Sequence, residues 1–273
     1  MSQSRGERLM STFVILASTV LGCFSFLYPF LMPTFQQTPS PAGIRLSEMP
    51  LTMTLILALC VLALLFEAQQ SAANARLVAL MGVLVALNSV LRYIEIAIPG
   101  PGGFSPIFFL IILSGYLFGA KFGFLMGAMT LFVSAILTGG VGPWLPSQMF
   151  TAGWVGMSAA ILSPLTKRFG WQGKRWEVIL LASFGIFWGL LYGAIMNLWS
   201  FIIGPADQYW QPGISVVETL ARYGVFYLVT SLAWDLGRSF GNALLIGLFG
   251  AATLRVLRRF HERFTFVYRP TEV

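Results

Sequence analysis

One histidine, His261, and two cysteines, Cys23 and Cys60, are all that the chain offers of the residue types that most often bind metals or move protons near neutrality. A single histidine in a basic C-terminal tail cannot build a zinc site, a haem ligand pair or a histidine-based proton relay. Two cysteines, each inside an apolar run, give no disulfide framework and no thiolate metal site. A phosphate-binding loop, paired carboxylates and a serine–histidine–aspartate set are missing as well, so neither an enzyme's usual residues nor a cofactor or metal is expected. Charge is scarce: 10% of the residues are charged, against 57% that are hydrophobic. A soluble domain of this size could not keep such a surface in water.

What fills the chain instead is a series of long apolar runs. A bilayer core needs about 20 apolar residues per helix. Eight runs approach that length, over residues 10–34, 50–69, 77–98, 105–119, 122–138, 147–165, 177–203 and 220–254. The expected fold is therefore an all-α integral membrane protein with eight transmembrane helices. Val20-Leu21-Gly22-Cys23 faintly resembles a lipoprotein cleavage site, but Phe24 to Met32 continue the apolar run, so a retained helix is expected. Basic residues fall on every second loop or end. They are Arg5 and Arg8; Arg76; Lys121; Lys167, Arg168, Lys174 and Arg175; and Arg255, Arg258, Arg259 and Arg263. The alternate loops carry almost nothing basic beyond Arg45. Since basic loops stay on the cytoplasmic side, both termini are predicted to be cytoplasmic. The net charge of +7 then reflects topology and not nucleic acid, because no basic run interleaves with aromatics in a soluble segment.

The first two helices stand apart, joined by a Pro-, Ser-, Thr- and Gln-rich loop over 36–50 and followed by a short polar linker over 67–76. Residues 1–75 thus read as a two-helix membrane extension, 76–262 as a six-helix membrane domain and 263–273 as a cytoplasmic tail. The outer loops of the six-helix block are Gly/Pro-rich: 99–103, 139–146 and 204–215. They are plain turns or the lids of an outer pocket; irregular backbone near membrane depth is tolerated where it is buried or lines a cavity. Trp144, Phe150, Trp154, Trp188, Tyr192, Trp199, Tyr209 and Trp210 crowd the same side, as an interfacial belt or as the wall of that pocket.

Small residues recur at spacings of four, at Gly119, Gly123 and Gly127 and at Gly185, Gly189 and Gly193, where helices are expected to approach closely. On the third helix Ala72, Ala75, Ala79, Gly82 and Ala86 form one stripe, with Asn88, Arg92 and Glu95 opposite. The stripe suits ordinary bundle packing or a sliding surface for a partner. On the eighth helix Ser231, Asp235, Arg238 and Asn242 share a face, and the spacing of three lets Asp235 and Arg238 pair near the bilayer centre, as a structural pair, a latch or a ligand contact. Glu218 and Arg222 repeat the pairing at the outer end.

The block from Arg76 to about Arg263 resembles the substrate-binding S components of energy-coupling factor (ECF) transporters. The resemblance is carried by Leu87-Asn88-Ser89-Val90-Leu91-Arg92, Gly103-Phe104-Ser105-Pro106-Ile107-Phe108-Phe109 and Ser114-Gly115-Tyr116-Leu117-Phe118-Gly119 through Gly123. It continues in Thr138 to Pro146, Gly153-Trp154-Val155-Gly156, and Leu191-Tyr192-Gly193-Ala194-Ile195-Met196-Asn197-Leu198-Trp199. It implies six helices with both ends inside, a vitamin-type ligand held near the outer face, a separate transmembrane coupling subunit and two separate ATPase subunits. It places the coupling subunit's docking surface on Ala75, Ala79, Gly82 and Ala86. Candidate substrate-binding residues are Asn88, Arg92, Glu95, Trp144, Gln148, Trp154, Tyr192, Asn197, Asp235 and Arg238. Cobalamin ranks first among vitamin ligands, and the expected location is a bacterial cytoplasmic membrane with its lipids around the chain. A self-sufficient carrier or a lipid-processing membrane enzyme is the alternative. The two extra N-terminal helices depart from the family pattern.

Overall fold

The computed structural model describes residues 75–97, 102–142, 144–203 and 214–264, with Leu16, Ala17, Thr19, Val20, Gly22, Cys23 and Phe26. All regular structure among the described residues is helical. The helices are α1 (Ala75–Ala97), α2 (Ile107–Phe118), α3 (Ala120–Thr138), α4 (Leu145–Ala159), α5 (Leu162–Arg168), α6 (Arg175–Ile203), α7 (Val216–Thr230) and α8 (Leu232–Phe264). Stretches long and apolar enough to cross a membrane are Leu77–Ala97, Ala120–Thr138, Leu145–Arg168, Arg175–Leu198 and Leu232–Glu262. The expected run 50–69 lies outside the described residues, whereas the described residues between Leu16 and Phe26 are helical and fall within 10–34.

The centre of the bundle is α2. Its residues from Ile107 to Tyr116 are all buried, which explains why its sequence is apolar all round instead of striped. Around it stand α3, α4, α6 and α8, and α1 packs across α2 and α3. Glycines permit the tightest of these contacts. A Cβ at Gly115, Gly123 or Gly156 would collide with backbone of a neighbouring helix, because these three positions of α2, α3 and α4 meet backbone to backbone. Gly139 ends α3 in the left-handed conformation, with φ of 66° and ψ of 18°, a cap that glycine adopts without steric cost.

Two expected helices are each broken in two. The run 147–165 is interrupted at Ala160 and Ile161, which bond three residues back, Ala160 N–H to Met157 O at 3.3 Å and Ile161 N–H to Ser158 O at 3.1 Å. Pro164 accounts for the break. It has no N–H for the Ala160 carbonyl, and its ring would clash there in a continuous helix. The run 220–254 is interrupted at Ser231, with φ of −127° and ψ of −29°, and the helix after it extends to Phe264. Beside the break the Thr230 hydroxyl donates to Phe226 O at 2.7 Å, competing for a backbone carbonyl. Asp235 therefore lies in the first turn of α8 and Arg238 in the second, not midway along one long helix. That correction removes the continuous helix from which a place at the bilayer centre was expected. It also puts the carboxylate at the positive end of the α8 dipole, where negative charge is favoured.

Candidate functional site

The glycine stripe of α6 is the mould for the polar face of α8. A Cβ at Gly193 would collide with the Asp235 carboxylate, and one at Gly189 with Ser239. At Gly185 it would come to 3.1 Å from Asn242 Cβ. Three polar side chains of α8 use the space to reach α6 backbone. Asn242 Nδ2 donates to Gly185 O at 2.9 Å, Ser239 Oγ to Ile186 O at 3.0 Å and Arg238 Nη1 to Gly189 O at 3.3 Å. Residues 235, 239, 242 and 246 of α8 thus knit to residues 185, 189 and 193 of α6 at helical spacing.

At the Asp235 end of this seam several charged groups converge. Asp235 is buried and ion-paired with Arg238. The Arg238 guanidinium lies 5.3 Å from the centroid of the buried Tyr192 ring, a cation–π arrangement. Tyr192 in turn packs edge-on against Phe108 of α2 at 4.7 Å. From α1 come Arg92 and Glu95, paired at 3.9 Å, and Glu95 Oε2 accepts from Ser105 Oγ at 2.7 Å. Glu95 also lies near Arg238, and Tyr192 near Arg92, Arg238 and Glu95. The loop carrying Ser105 is held down by Gly103 N–H donating to Trp234 O at 3.1 Å, an approach that a Cβ at Gly103 would block. Asp235 Oδ2 and Tyr227 OH are buried and lie near each other across the Ser231 break. Two cations and two anions in one half-buried cluster leave it near electrical neutrality.

Of the ten candidate substrate-binding residues, this cluster gathers Arg92, Glu95, Tyr192, Asp235 and Arg238. The others go elsewhere. Asn88 is fully buried and ties three helices together, its Nδ2 donating to Ile107 O at 3.0 Å and to Thr130 Oγ1 at 3.2 Å. Asn197 donates to Thr230 Oγ1 at 3.1 Å, beside the Ser231 break. Trp144 is exposed, with its ring over Gly142, and half-buried Gln148 bonds through its backbone to Trp144 O at 3.0 Å. Trp154 packs against Phe150 at 6.2 Å and against Phe26 of the N-terminal segment at 6.0 Å, with its indole N–H buried and without a hydrogen-bond partner among the described residues. Ser105 and Tyr227 belong to the cluster although the motif reading did not single them out.

A second buried polar network lies at the far end of the bundle. Tyr116 OH donates to Glu177 Oε1 and sits 2.7 Å from Thr166 Oγ1. Glu177 is ion-paired with Arg258 and accepts from Gly173 N–H at 2.8 Å. One buried carboxylate therefore joins α2, α5, α6, α8 and the turn before α6. Glu177 and Arg258 are 81 residues apart, so no local spacing announces the pair.

The outer side of α1 is different in kind. Ala79, Gly82 and Ala86 are exposed, and a Cβ at Gly82 would meet nothing within 4 Å. Val83, Leu87 and Val90 flank them, also exposed. Asn88 and Ser89 are buried on the other side, so the smooth stripe faces away from the bundle. Ala75 opens the helix, and its side chain is outside the described set. Among the described residues no group of three or more His, Cys, Asp or Glu is placed to hold a metal.

A helical bundle with apolar helices of membrane-crossing length and its polar groups turned inward is the architecture of a multi-pass membrane protein. Residues 76–184 match the family model of the ECF transporter substrate-specific component, so the resemblance read from the sequence is shown over that stretch. No curated protein and no solved structure matches the chain significantly. Proteins of the matched family are substrate-binding subunits of transporters, not enzymes.

Proposed function

We propose that this chain is the capture subunit of an ATP-driven importer. It binds a water-soluble vitamin or vitamin precursor near the outer face and delivers it by reorienting against a transmembrane coupling subunit, with ATP hydrolysis on two separate subunits. The observation that carries the reading is the family match over 76–184, which includes the whole of the exposed small stripe on α1 from Ala79 to Ala86. An exposed row of Ala and Gly on a membrane helix lets a second helix approach closely, which a reorienting subunit needs. The ligand site is assigned to Arg92, Glu95, Tyr192, Asp235 and Arg238, with the 102–105 loop closing over them. Cobalamin stands first among the ligands. Both termini face the cytoplasm of a bacterium, because the basic residues alternate.

The deciding experiment is mass spectrometry of small molecules retained by protein purified in mild detergent. A stoichiometric vitamin-class compound released on denaturation is the expected result. Retention of a lipid-derived reaction product in its place would turn the reading toward a lipid-processing enzyme.

A further inference from the structure

Between α5 and α6 the chain turns within six residues and brings two kinds of side chain together. Lys167, Arg168, Lys174 and Arg175 are all exposed, and none of them forms an ion pair among the described residues. No Asp or Glu occurs between Glu95 and Glu177. Glu177, the one acid next to the turn, points inward to Arg258, Tyr116 and Gly173 N–H, so it offsets none of the four cations. Beside them Phe169 stacks on Trp171 at 5.0 Å and 25°, and Trp171 continues to Trp176 at 6.2 Å and 33°. Phe169 and Trp176 are 54% and 52% exposed, so two large rings of this stack are left open to their surroundings.

The turn is built to stay in place. Trp171 N–H donates to Thr166 O at 2.9 Å and Lys174 N–H to Trp171 O at 3.0 Å, while Gly170 and Gly173 take φ of 62° and 72°. It lies where the span Leu145–Arg168 ends and Arg175–Leu198 begins, which is headgroup depth. Aromatic rings favour that layer, and cations near it are attracted to anionic lipid. A free phosphate would use the cations and leave the rings bare. A phospholipid uses both.

We propose that the 167–176 turn is a binding site for an anionic phospholipid, its phosphate held by Lys167, Arg168, Lys174 and Arg175 and its upper acyl chain lying against Phe169, Trp171 and Trp176. This site is independent of the transport reading and of the identity of the transported ligand.

The test is native mass spectrometry of the full chain released from vesicles of equal phosphatidylglycerol and phosphatidylcholine. The expected result is several-fold preference for the anionic lipid. Arg168→Gln with Lys174→Gln should bring that preference close to parity, since each cation near the surface contributes roughly fivefold. Arg255→Gln with Arg259→Gln, an equal charge loss from exposed positions of α8, should change it much less. Equal losses in the two double variants would mean diffuse attraction and overturn the site. So would equal retention of both lipids by the unmodified chain. A measurement that needs no variant is crosslinking with a photoreactive phosphatidylglycerol, whose label should map to 167–176; a label confined to other segments overturns the proposal. Loss of a copurifying membrane subunit in Arg168→Gln/Lys174→Gln, with lipid retention unchanged, would reassign the turn to a protein partner.

Discussion

At the scale of single residues, Asp235 and Arg238 carry the sharpest expectation. Asp235 is 2% exposed, and its partner guanidinium also reaches Gly189 O and the Tyr192 ring. Removing one member of such a buried pair strands the other, at a cost of about 3–5 kcal/mol. Asp235→Ala alone should therefore lower thermal stability more than Asp235→Ala combined with Arg238→Ala, measured in one detergent. Simple addition of the two single losses would reject the pairing. Ligand affinity measured on the same proteins separates roles: stability recovered in the double variant without recovered binding assigns at least one of the two to the ligand. Glycine has the complementary part at this scale. Gly193 exists to admit the Asp235 carboxylate, so the charge and the missing side chain are one feature written on two helices.

At the scale of elements, α1 has a buried polar face and an exposed smooth one. Gly82→Trp should leave ligand affinity within about twofold, because a side chain there meets open space. Uptake should fall to background, since an indole prevents close helix approach. Binding by equilibrium dialysis and uptake in cells decide the matter together; normal transport, or lost affinity with retained transport, contradicts the assignment of faces.

Much of this level was legible in the sequence. The bounds of α1, α2, α3 and α6 follow from apolar run length, and the small stripe from helical spacing. Pro164 marked the break before α5 in plain sight. The break at Ser231 had no comparable signal, because serine and threonine occur freely in continuous helices and only their local carbonyl bonding disrupts this one. The ion pairs of the polar cluster were readable to the same degree. Asp235 with Arg238 is a spacing of three, and so is Arg92 with Glu95. Ser105 on Glu95 and Arg258 on Glu177 join distant segments, and only the packed chain brings them together. Asn88 looked like a binding residue because it is polar and intramembrane, but two hydrogen bonds spend its amide nitrogen inside the bundle.

For the whole molecule, orientation is the property from which the rest follows. The alternation of basic loops predicts that the turn before α6 faces the cytoplasm and the loop after α3 faces outside. In a background with Cys23 and Cys60 replaced, a cysteine at Gly140 should react with an impermeant maleimide in intact cells. One at Lys174 should react only after the membrane is opened. The reverse pattern would invert the molecule and place the Glu177 network outside.

Gly115, Gly123 and Gly156 bring three helices to backbone contact, and no side chain lies between them to slide or repack. Such a joint has no slack. The block of α2, α3 and α4 must then travel as a single casting, and any change of shape during a working cycle falls to parts hung on it. Of these, α7 is the loosest: Phe226 is its one buried residue, and it meets α8 at the Ser231 break. The bundle is thus divided unequally between frame and hinge, and Asp235 sits on the line between them.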